Sequence, residues 1–436
     1  MSSPLSKLPL TACKILNRDA LPKSQNWRLQ SPGHPIDSKE RPPRNKSSTY
    51  NKYVSGFLAC ASFFPDFSLA ELGSFSMRLC LVLLGPLSCW RIALAFPELV
   101  RHGYPNCATC HYSPTGGGVL TEYGRALSKE IVSRWGAENE EQAFYFYKFR
   151  KRLALGGDLR ALWVEKKTGR ETKSLWVPMQ ADVEAAAESG RFTLVLSAGA
   201  RPPTAPEAGP LFSRRHYLSY KFSETLTLRG GRFYPAFGIM LPDHAALIRK
   251  NLVWDQALET YNLEISKIAE GYDAYATWVL GRPDFTALNR ESGLTLSSSL
   301  ALGGKSKLGA SYYYGAGALS SHHIFGPYAI LGFTDHFFAL MQASGVRTFN
   351  SNFDNPQWGG VSYVRLNYEL MQGFHVFATQ EYSQLDLTNA QTISSQLGVG
   401  TQLFPRPHFE LRLDVQQRLI AGEASNAVQF LLHYYL

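Results

Sequence analysis

The sequence has no uninterrupted run of about 20 apolar residues, the length that a membrane-spanning helix needs. This absence argues against a helical membrane protein. Charged residues are also scarce, at 18% of the 436 residues, against about 25% in typical soluble domains. The apolar content of 45% excludes a disordered polyelectrolyte. The chain is instead rich in aromatic residues, at 13%, which leaves large soluble β proteins and outer-membrane β-barrels as the main classes.

A widely distributed excess of positive charge is missing as well. The formal net charge is +9, but most of it lies in residues 1–76 and in Arg78 and Arg91. The rest of the chain is close to neutral, whereas a nucleic-acid-binding surface needs clustered Lys and Arg. The charge distribution therefore predicts no nucleic-acid partner.

Residues 77–95 have every part of a secretory signal peptide. A short positive region and an apolar stretch follow Met77, and an A-x-A cleavage site ends at Ala95. Signal peptides do not normally follow a long leader, so we interpret residues 1–76 as a mis-called extension upstream of a true start at Met77. The alternative is a genuine disordered leader, because this stretch is polar, basic and rich in Pro and Ser. Cleavage would leave Phe96 as the first residue of the mature chain.

Cysteine is nearly absent from the exported part of the chain. Of the six cysteines, only Cys107 and Cys110 follow the cleavage site. An exported chain that retains one close cysteine pair uses that pair for a specific purpose. Cys89 is a weak lipoprotein site, because Pro86 occupies a position that normally takes an aliphatic residue.

Residues 107–111 read C-x-x-C-H, the attachment motif of c-type haem. Two thiols at this spacing reach the two vinyl groups of one porphyrin, and the following histidine gives the iron its proximal nitrogen. Cys107 and Cys110 are therefore predicted to hold haem c covalently, with His111 as an axial ligand. Haem c is attached outside the cytoplasm, which agrees with the signal peptide. A structural disulfide would not need His111, and a redox dithiol would need a βαβ frame that this region lacks.

Residues 96–152 are predicted to form a small α-helical haem-binding lobe. A turn-rich loop at 112–118 contains three consecutive glycines, and no helix persists through such a loop. The spacing of apolar residues predicts an amphipathic helix over 119–135. A second helix is expected over 139–152.

The second axial position of the iron has several candidates. The chain has no methionine between His111 and Met179, so the His/Met pair of small cytochromes has no second member inside the lobe. His102 is one candidate for the second ligand, and a surface or hydrogen-bonding histidine is the alternative interpretation. A five-coordinate iron and a ligand from the later region, His216 or His244, remain open.

From residue 153 onward, apolar and polar residues alternate in segments of about ten residues that end at turn-forming residues. This pattern predicts a transmembrane antiparallel β-barrel of about 16 strands over 153–436. The strands are expected at 153–166, 175–188, 191–201, 212–222, 225–235, 257–267, 271–281, 293–303, 306–316, 323–333, 336–347, 359–370, 374–385, 393–404, 409–420 and 427–436.

The predicted connections alternate between short turns and longer polar loops, which is the layout of a bacterial outer-membrane barrel. The long set includes 167–174, 202–211, 236–256, 282–292, 348–358 and 386–392. An even strand number puts both chain ends, and with them the haem lobe, on the periplasmic side. Arg365 and Arg412 lie at alternate strand positions that are expected to face the lumen. The longest loop, 236–256, either folds inward as a constriction or remains outside.

The stretch 102–120, which is the haem motif with its flanks, and the segment 231–238, together with the barrel pattern, resemble a group of bacterial outer-membrane proteins. These proteins join an N-terminal c-type haem motif to a porin-like β-barrel. The resemblance covers residues 96–436. It implies an outer-membrane location with the haem lobe in the periplasm.

Two functions fit this architecture. The first is electron transfer, in which haem c at the periplasmic face exchanges electrons with periplasmic or outer-membrane cytochromes. The second is a channel for small solutes or ions, in which the haem is a sensor or a structural plug. An enzyme with an open haem site is less favoured, because no acid/base constellation accompanies the motif.

Overall fold

The computed structural model describes residues 97–140, 142, 152–200, 211–243, 245–252, 254, 259–282, 290–351 and 355–436. The predicted extension and signal peptide, 1–95, lie outside the described residues. So does most of the predicted second helix, of which residues 138–140 form a turn. His244 also lies outside them.

Within the described residues, the chain forms seventeen strands in one antiparallel sheet. β4 and β5 both pair with β3 and share one position, so the barrel has sixteen strand positions. The strands are β1 (Leu153–Thr168), β2 (Glu171–Ser189), β3 (Phe192–Ala200), β4 (Leu211–Phe212), β5 (His216–Lys221), β6 (Leu226–Phe233), β7 (Thr260–Ile268), β8 (Tyr272–Gly281), β9 (Ser292–Leu302), β10 (Ser306–Ala316), β11 (Ser320–Gly332), β12 (Phe337–Asn350), β13 (Gln357–Met371), β14 (Phe374–Gln384), β15 (Ile393–Leu403), β16 (Phe409–Ile420) and β17 (Glu423–Tyr435).

The barrel closes where the last strand meets the first. β17 runs antiparallel to β1, with Tyr435 opposite Asp158, and the other edge of β1 pairs with β2. The backbone N–H of Leu436 extends this seam by donating to the carbonyl of Gly157 at 2.9 Å. Closure removes the free sheet edges and so satisfies the backbone groups of every strand position. The predicted fold class, a closed antiparallel barrel of sixteen strands with little helix, is confirmed.

Side chains alternate between the two faces of the wall, as the period of two requires. On β15 and β16, Leu397 and Val415 are 60% and 50% exposed, whereas Arg412 and Asp414 are buried on the inward face. Arg365 on β13 is also buried and inward, as expected. The outer surface is therefore an apolar band, and the inner surface carries polar and charged groups.

The connections largely follow the predicted alternation, but the predicted loop 167–174 is wrong. β1 and β2 continue through it in register, with Thr168 opposite Glu171. The turn between them consists of Gly169 and Arg170, and Gly169 has a φ of 59°. A two-residue turn of this kind needs a residue that tolerates positive φ, and glycine does so without steric cost.

The described residues of the long connection between β6 and β7 (234–243, 245–252, 254 and 259) fold into the lumen, which favours the inward position over the outer one. The N–H of Gly238 donates to Ser311 Oγ at 2.9 Å, and that of Ile239 donates to Gln342 Oε1 at 2.8 Å. The short helix Leu247–Lys250 begins where Leu247 N–H donates to a carboxylate oxygen of Glu381. Burial of apolar side chains, with Leu252 at 0% exposure, gives this in-folded loop its own core.

Residues 97–140 also lie within the barrel, at the end with the short turns. Asn106 donates to the carbonyl of Ala269 in the β7–β8 turn, and Arg134 N–H donates to that of Phe404 after β15. Arg101 forms a buried ion pair with Glu369 on the inner wall. The sequence predicted a separate haem lobe on the periplasmic side, and these contacts make the described segment a plug against the inner wall at the short-turn end. Such contacts join residues far apart in the chain, and periodicity does not report them.

The helix predicted over 119–135 is shorter than expected. It begins after Thr121, whose Oγ1 accepts a hydrogen bond from Gly124 N–H at 3.1 Å. It comprises the helix Glu122–Leu127 and a wider π-helical turn, Ser128–Val132. Leu120 instead forms a β-bridge with His111, so the helix cannot begin before Thr121. No helix among the described residues is long and apolar enough to span a bilayer.

If the apolar outer band faces lipid, an arginine there should be costly. We expect Leu397→Arg, in the middle of β15, to lower the free energy of unfolding in lipid vesicles by about 2–4 kcal/mol. Denaturant titration of the refolded protein measures this change, with Leu397→Ala as the control. An arginine variant no less stable than the alanine variant would contradict a lipid-facing position.

Candidate haem site

The C-x-x-C-H segment folds as one compact turn. Cys107–Thr109 is a single 3₁₀ turn, and the N–H groups of Cys110 and His111 both donate to the carbonyl of Cys107, at 3.2 and 3.1 Å. Thr121 Oγ1 donates to the carbonyl of Thr109 at 2.8 Å and connects this turn to the start of the helix Glu122–Leu127. The sequence spacing of the motif is thereby converted into a fixed local geometry.

The chain then reverses through the glycine loop and returns beside the motif. Thr121 N–H donates to the Cys110 carbonyl at 2.9 Å. Gly116, Gly117 and Gly118 have φ values of 80°, 70° and 72°, a region that L side chains rarely adopt. A Cβ on Gly116 would lie 3.3 Å from the Cys107 sulfur. Gly116 therefore keeps open the space beside the Cys107 thiol, whereas Cβ atoms on Gly117 and Gly118 would contact Arg215.

The orientation of His111 suits an iron ligand. Its Nδ1 lies 3.4 Å from the carbonyl oxygen of Gly118. A carbonyl only accepts hydrogen bonds, so Nδ1 carries the proton and Nε2 carries the lone pair, the usual arrangement of a metal-binding histidine. Burial lowers the pKa of His111 to about 4, so the imidazole is neutral at physiological pH.

The two cysteines are available as thiols. Cys110 is buried at 2% exposure in an apolar cluster with Leu120 and Tyr435, whereas Cys107 is partly exposed. Neither forms a disulfide. Burial raises the pKa of Cys107, which keeps its thiol protonated.

A cavity extends from this motif into the lumen, with about 1650 Å³ of empty space, part of it continuous with solvent. Cys107, His111 and the three glycines line it on one side. Five cationic side chains also line it, against three carboxylates, and Asp182 and Glu184 form ion pairs with two of these cations. The cations are Arg160, Arg214, Arg215, Arg249 and Lys307, and the carboxylates are Asp158, Glu259 and Asp273. With Asp182 and Glu184 included, the five cations are matched by five carboxylates, so the charges around the cavity largely balance.

The structure does not bring His102 to this cavity. His102 follows Arg101, whose Nε donates to its Nε2 at 3.0 Å, and its charged neighbours are Lys305, Asp335 and His336 in the short turns. Burial lowers its pKa to about 4. Its assignment as second ligand stays a prediction that this position does not favour.

His216 lies on the outer face of β5. Its Nδ1 is 2.9 Å from Ser213 Oγ and its Nε2 is 2.7 Å from Tyr261 OH, so both ring nitrogens are hydrogen-bonded there. The adjacent Tyr217 points inward and is buried. A strand alternates its side chains between the two faces, which excludes His216 from the lumen.

Sequence reasoning missed the inner-wall residues that hold the motif. Arg229 on β6 donates to Ser113 Oγ and Thr115 Oγ1, at 3.2 and 3.0 Å. Lys307 on β10 donates to the carbonyl of Pro105 at 2.8 Å. Alternation marks both positions as inward, but only the fold brings them against residues more than one hundred positions earlier.

Neither family models nor curated protein sequences match this chain. Solved structures do. The chain is similar to a loop L8 deletion mutant of OmpT, an outer-membrane protein of Vibrio cholerae (TM-score 0.53, 10% identity, 65% of this chain and 99% of that chain). It is also similar to the anion-selective porin from Comamonas acidovorans (0.52, 12%, 65% and 99%) and the outer-membrane channel DcaP of Acinetobacter baumannii (0.50, 12%, 66% and 99%). At these identities the likeness defines the fold, which is a porin-type β-barrel.

The lowered pKa of His111 makes stability depend on pH. The unfolded histidine binds a proton near pH 6.5 and the folded one only near pH 4, so the stabilisation is complete above pH 6.5 and is lost as the pH falls towards 4. In the haem-free protein, unfolding measured from pH 4 to 7 should show a smaller rise of stability with pH for His111→Gln than for the parent. Equal slopes would contradict the buried neutral imidazole.

Gly124 is a sharp test of the packing behind Cys110. A Cβ at Gly124 would lie 2.9 Å from Cys110 Cα, which real Cβ atoms essentially never show. Gly124→Ala should therefore destabilise the plug by about 1–3 kcal/mol. Gly136→Ala is the matched control, because its Cβ would meet only the flexible side chain of Lys129. Hydrogen exchange of the plug amides measures both, and equal protection would contradict the contact.

Proposed function

We propose that this chain is an outer-membrane protein that holds haem c inside a porin-type barrel and transfers electrons at the barrel's short-turn end. The observation that carries the proposal is the joint presence of Cys107, Cys110 and His111 in one turn, with Cys107 and His111 lining a lumenal cavity. A bound haem c supplies a one-electron couple at this position.

The outer-membrane location is supported by the surface of the barrel. Outward positions on successive strands carry large apolar side chains, and inward positions carry polar ones. This distribution is the reverse of a soluble protein and is typical of barrels in lipid. The predicted signal peptide supports the same location. In this orientation the short-turn end faces the periplasm.

The residues of the site have separable roles. Cys107 and Cys110 would attach the cofactor through thioether bonds, and His111 Nε2 would bind the iron. The carbonyl of Gly118 orients the imidazole. Cys110 is buried in an apolar cluster, and burial around a haem is one way in which a protein sets its redox potential.

Partner access is supported at one edge of the motif. Ala108, between the two cysteines, is exposed, and Cys107 is partly exposed. Asn106 and Pro105 contact the wall beside the short turns. A periplasmic or outer-membrane cytochrome would approach this edge, because the attachment motif is exposed to solvent there.

The alternative function is a channel for small solutes or ions. The lumen of this barrel contains both the plug and the in-folded loop, and side chains from each are fully buried against the wall. These segments narrow the path that a solute would take through the described interior. Electron transfer at the short-turn end needs no path through the barrel, and for this reason we favour it.

The test is spectroscopic. The detergent-extracted wild-type protein should give the reduced-minus-oxidised difference spectrum of haem c and stain for covalent haem in denaturing gels. Cys107→Ala combined with Cys110→Ala should lose both signals, because thioether bonds form only at the thiols. Ala108→Ser, at the exposed middle position, is the matched control and should keep both.

Electron transfer is tested with the same variants. The wild type and Ala108→Ser should be reduced by a reduced periplasmic cytochrome, and the double cysteine variant should not exchange electrons. A wild type that lacks covalent haem would refute the proposal. Unchanged cellular electron flow in the double variant, together with ion conductance in planar bilayers, would favour the channel.

A further inference from the structure

We propose that Met240, in the in-folded loop that lines the same cavity, is the second axial ligand of the iron. This inference rests on the proposed attachment of haem c at Cys107 and Cys110. It assigns a metal-binding role to a residue outside the plug. The sequence offered no methionine near the motif, because the nearest later one in the chain is Met179.

The first observation is the shared cavity. Met240 lines the same cavity as Cys107 and His111, although it belongs to the connection between β6 and β7. It is partly buried, whereas its neighbours Ile239 and Leu241 are 3% and 4% exposed and belong to the apolar cluster of the in-folded loop. Met240 also lines a smaller cavity beside Phe237 and Trp254 of that cluster, so it lies between the core of the in-folded loop and the cavity of the motif.

The second observation is the fixed backbone on both sides of Met240. Before it, Gly238 and Ile239 donate to Ser311 and Gln342 on two different strands. After it, the carbonyl of Pro242 accepts from Arg160 Nη1 at 2.6 Å. A residue held in this way is presented at a constant position, and the flexible methionine side chain can adjust its sulfur to an iron.

The third observation concerns the competing donors on the cavity wall. His433 has Nδ1 2.7 Å from Glu410 Oε2, a hydrogen bond, and its Nε2 lies in an ion-pair contact 3.3 Å from Asp158 Oδ1. Lys307 is held by Asp273 at 2.5 Å and by the carbonyl of Pro105. These two side chains would have to break ion pairs before they could bind iron.

Tyrosine and the other methionines are weaker candidates. A tyrosine binds iron as its anion, and burial raises the pKa of Tyr104 in this cavity to about 12. Met341 and Met371 are 39% and 47% exposed on the strands, and Met179 does not line the cavity. Among the described methionines, Met240 is therefore the one positioned to supply a thioether.

Ligation by Met240 would have two consequences. A His/Met pair gives a higher reduction potential than ligation without methionine. It would also fill the coordination site and join the in-folded loop to the plug. The iron would then respond to substitutions in both segments.

The experiment compares Met240→Leu with Met341→Leu, a matched change on the outer wall. In the purified wild type, the ferric form should show the long-wavelength charge-transfer band of methionine-ligated haem, and the ferrous form should not bind carbon monoxide. Met240→Leu should lose the band, bind carbon monoxide and have a lower reduction potential. Met341→Leu should behave as the wild type. Met240→His should remain six-coordinate with a lower potential.

The outcomes separate the two proposals. A Met240→Leu protein that retains the band and excludes carbon monoxide would overturn the assignment of Met240. A wild type with covalent haem that lacks the band or binds carbon monoxide would overturn that assignment alone. A wild type with no covalent haem would overturn both. Heat-modifiable migration on gels verifies that each variant has folded, and Met240→His provides the test if Met240→Leu does not fold.

Discussion

The arrangement of the molecule depends on one buried guanidinium, that of Arg229. Its Nε is 2.7 Å from Glu264 Oε1, both side chains are fully buried, and its remaining nitrogens donate to Ser113 and Thr115 of the plug. The guanidinium also lies 3.7 Å from the centre of the Phe233 ring. A buried ion pair is costly unless its hydrogen-bonding groups are satisfied, and loss of one partner typically costs about 3–5 kcal/mol. The plug supplies the groups that satisfy this pair, so the wall and the plug stabilise each other.

The same reasoning explains why the plug lies against so many strands. Arg101 pairs with Glu369 on β13, and Lys307 on β10 donates to Pro105. Val119 N–H donates to Glu184 on β2 at 3.2 Å. A barrel with sixteen strand positions encloses a wide polar interior. In this chain the first described segment occupies part of that interior and meets the charges that line it.

Strand alternation made most of the barrel predictable from sequence. The predicted strands at 306–316 and 409–420 have the bounds of β10 and β16, because each carries a clear period of two and ends at turn residues. The predicted loop 167–174 failed because Lys and Thr residues there occur equally well in an exposed strand. The position of 236–256 was undecided because its apolar residues suit a core, but the chain alone does not say which core.

The candidate site likewise has a part that the sequence predicts and a part that it does not. The motif at 107–111 is local, and its spacing alone predicted the donors. The roles of Arg229, Lys307 and Met240 depend on contacts with residues far away in sequence, which closure of the barrel creates. The helix is shorter than predicted for a local reason. Leu120, which the apolar spacing assigned to the helix, forms a β-bridge with His111 instead.

The seam between β1 and β17 has a consequence for how the protein is assembled. Arg125 of the plug donates to the Leu155 carbonyl on β1, and Ser128 lies 3.3 Å from the hydroxyl of Tyr435 on β17. Leu436, the last residue, is 1% exposed beside the same seam. The plug and the last strand therefore complete one another's contacts, so docking of the plug is coupled to zipping of the final seam.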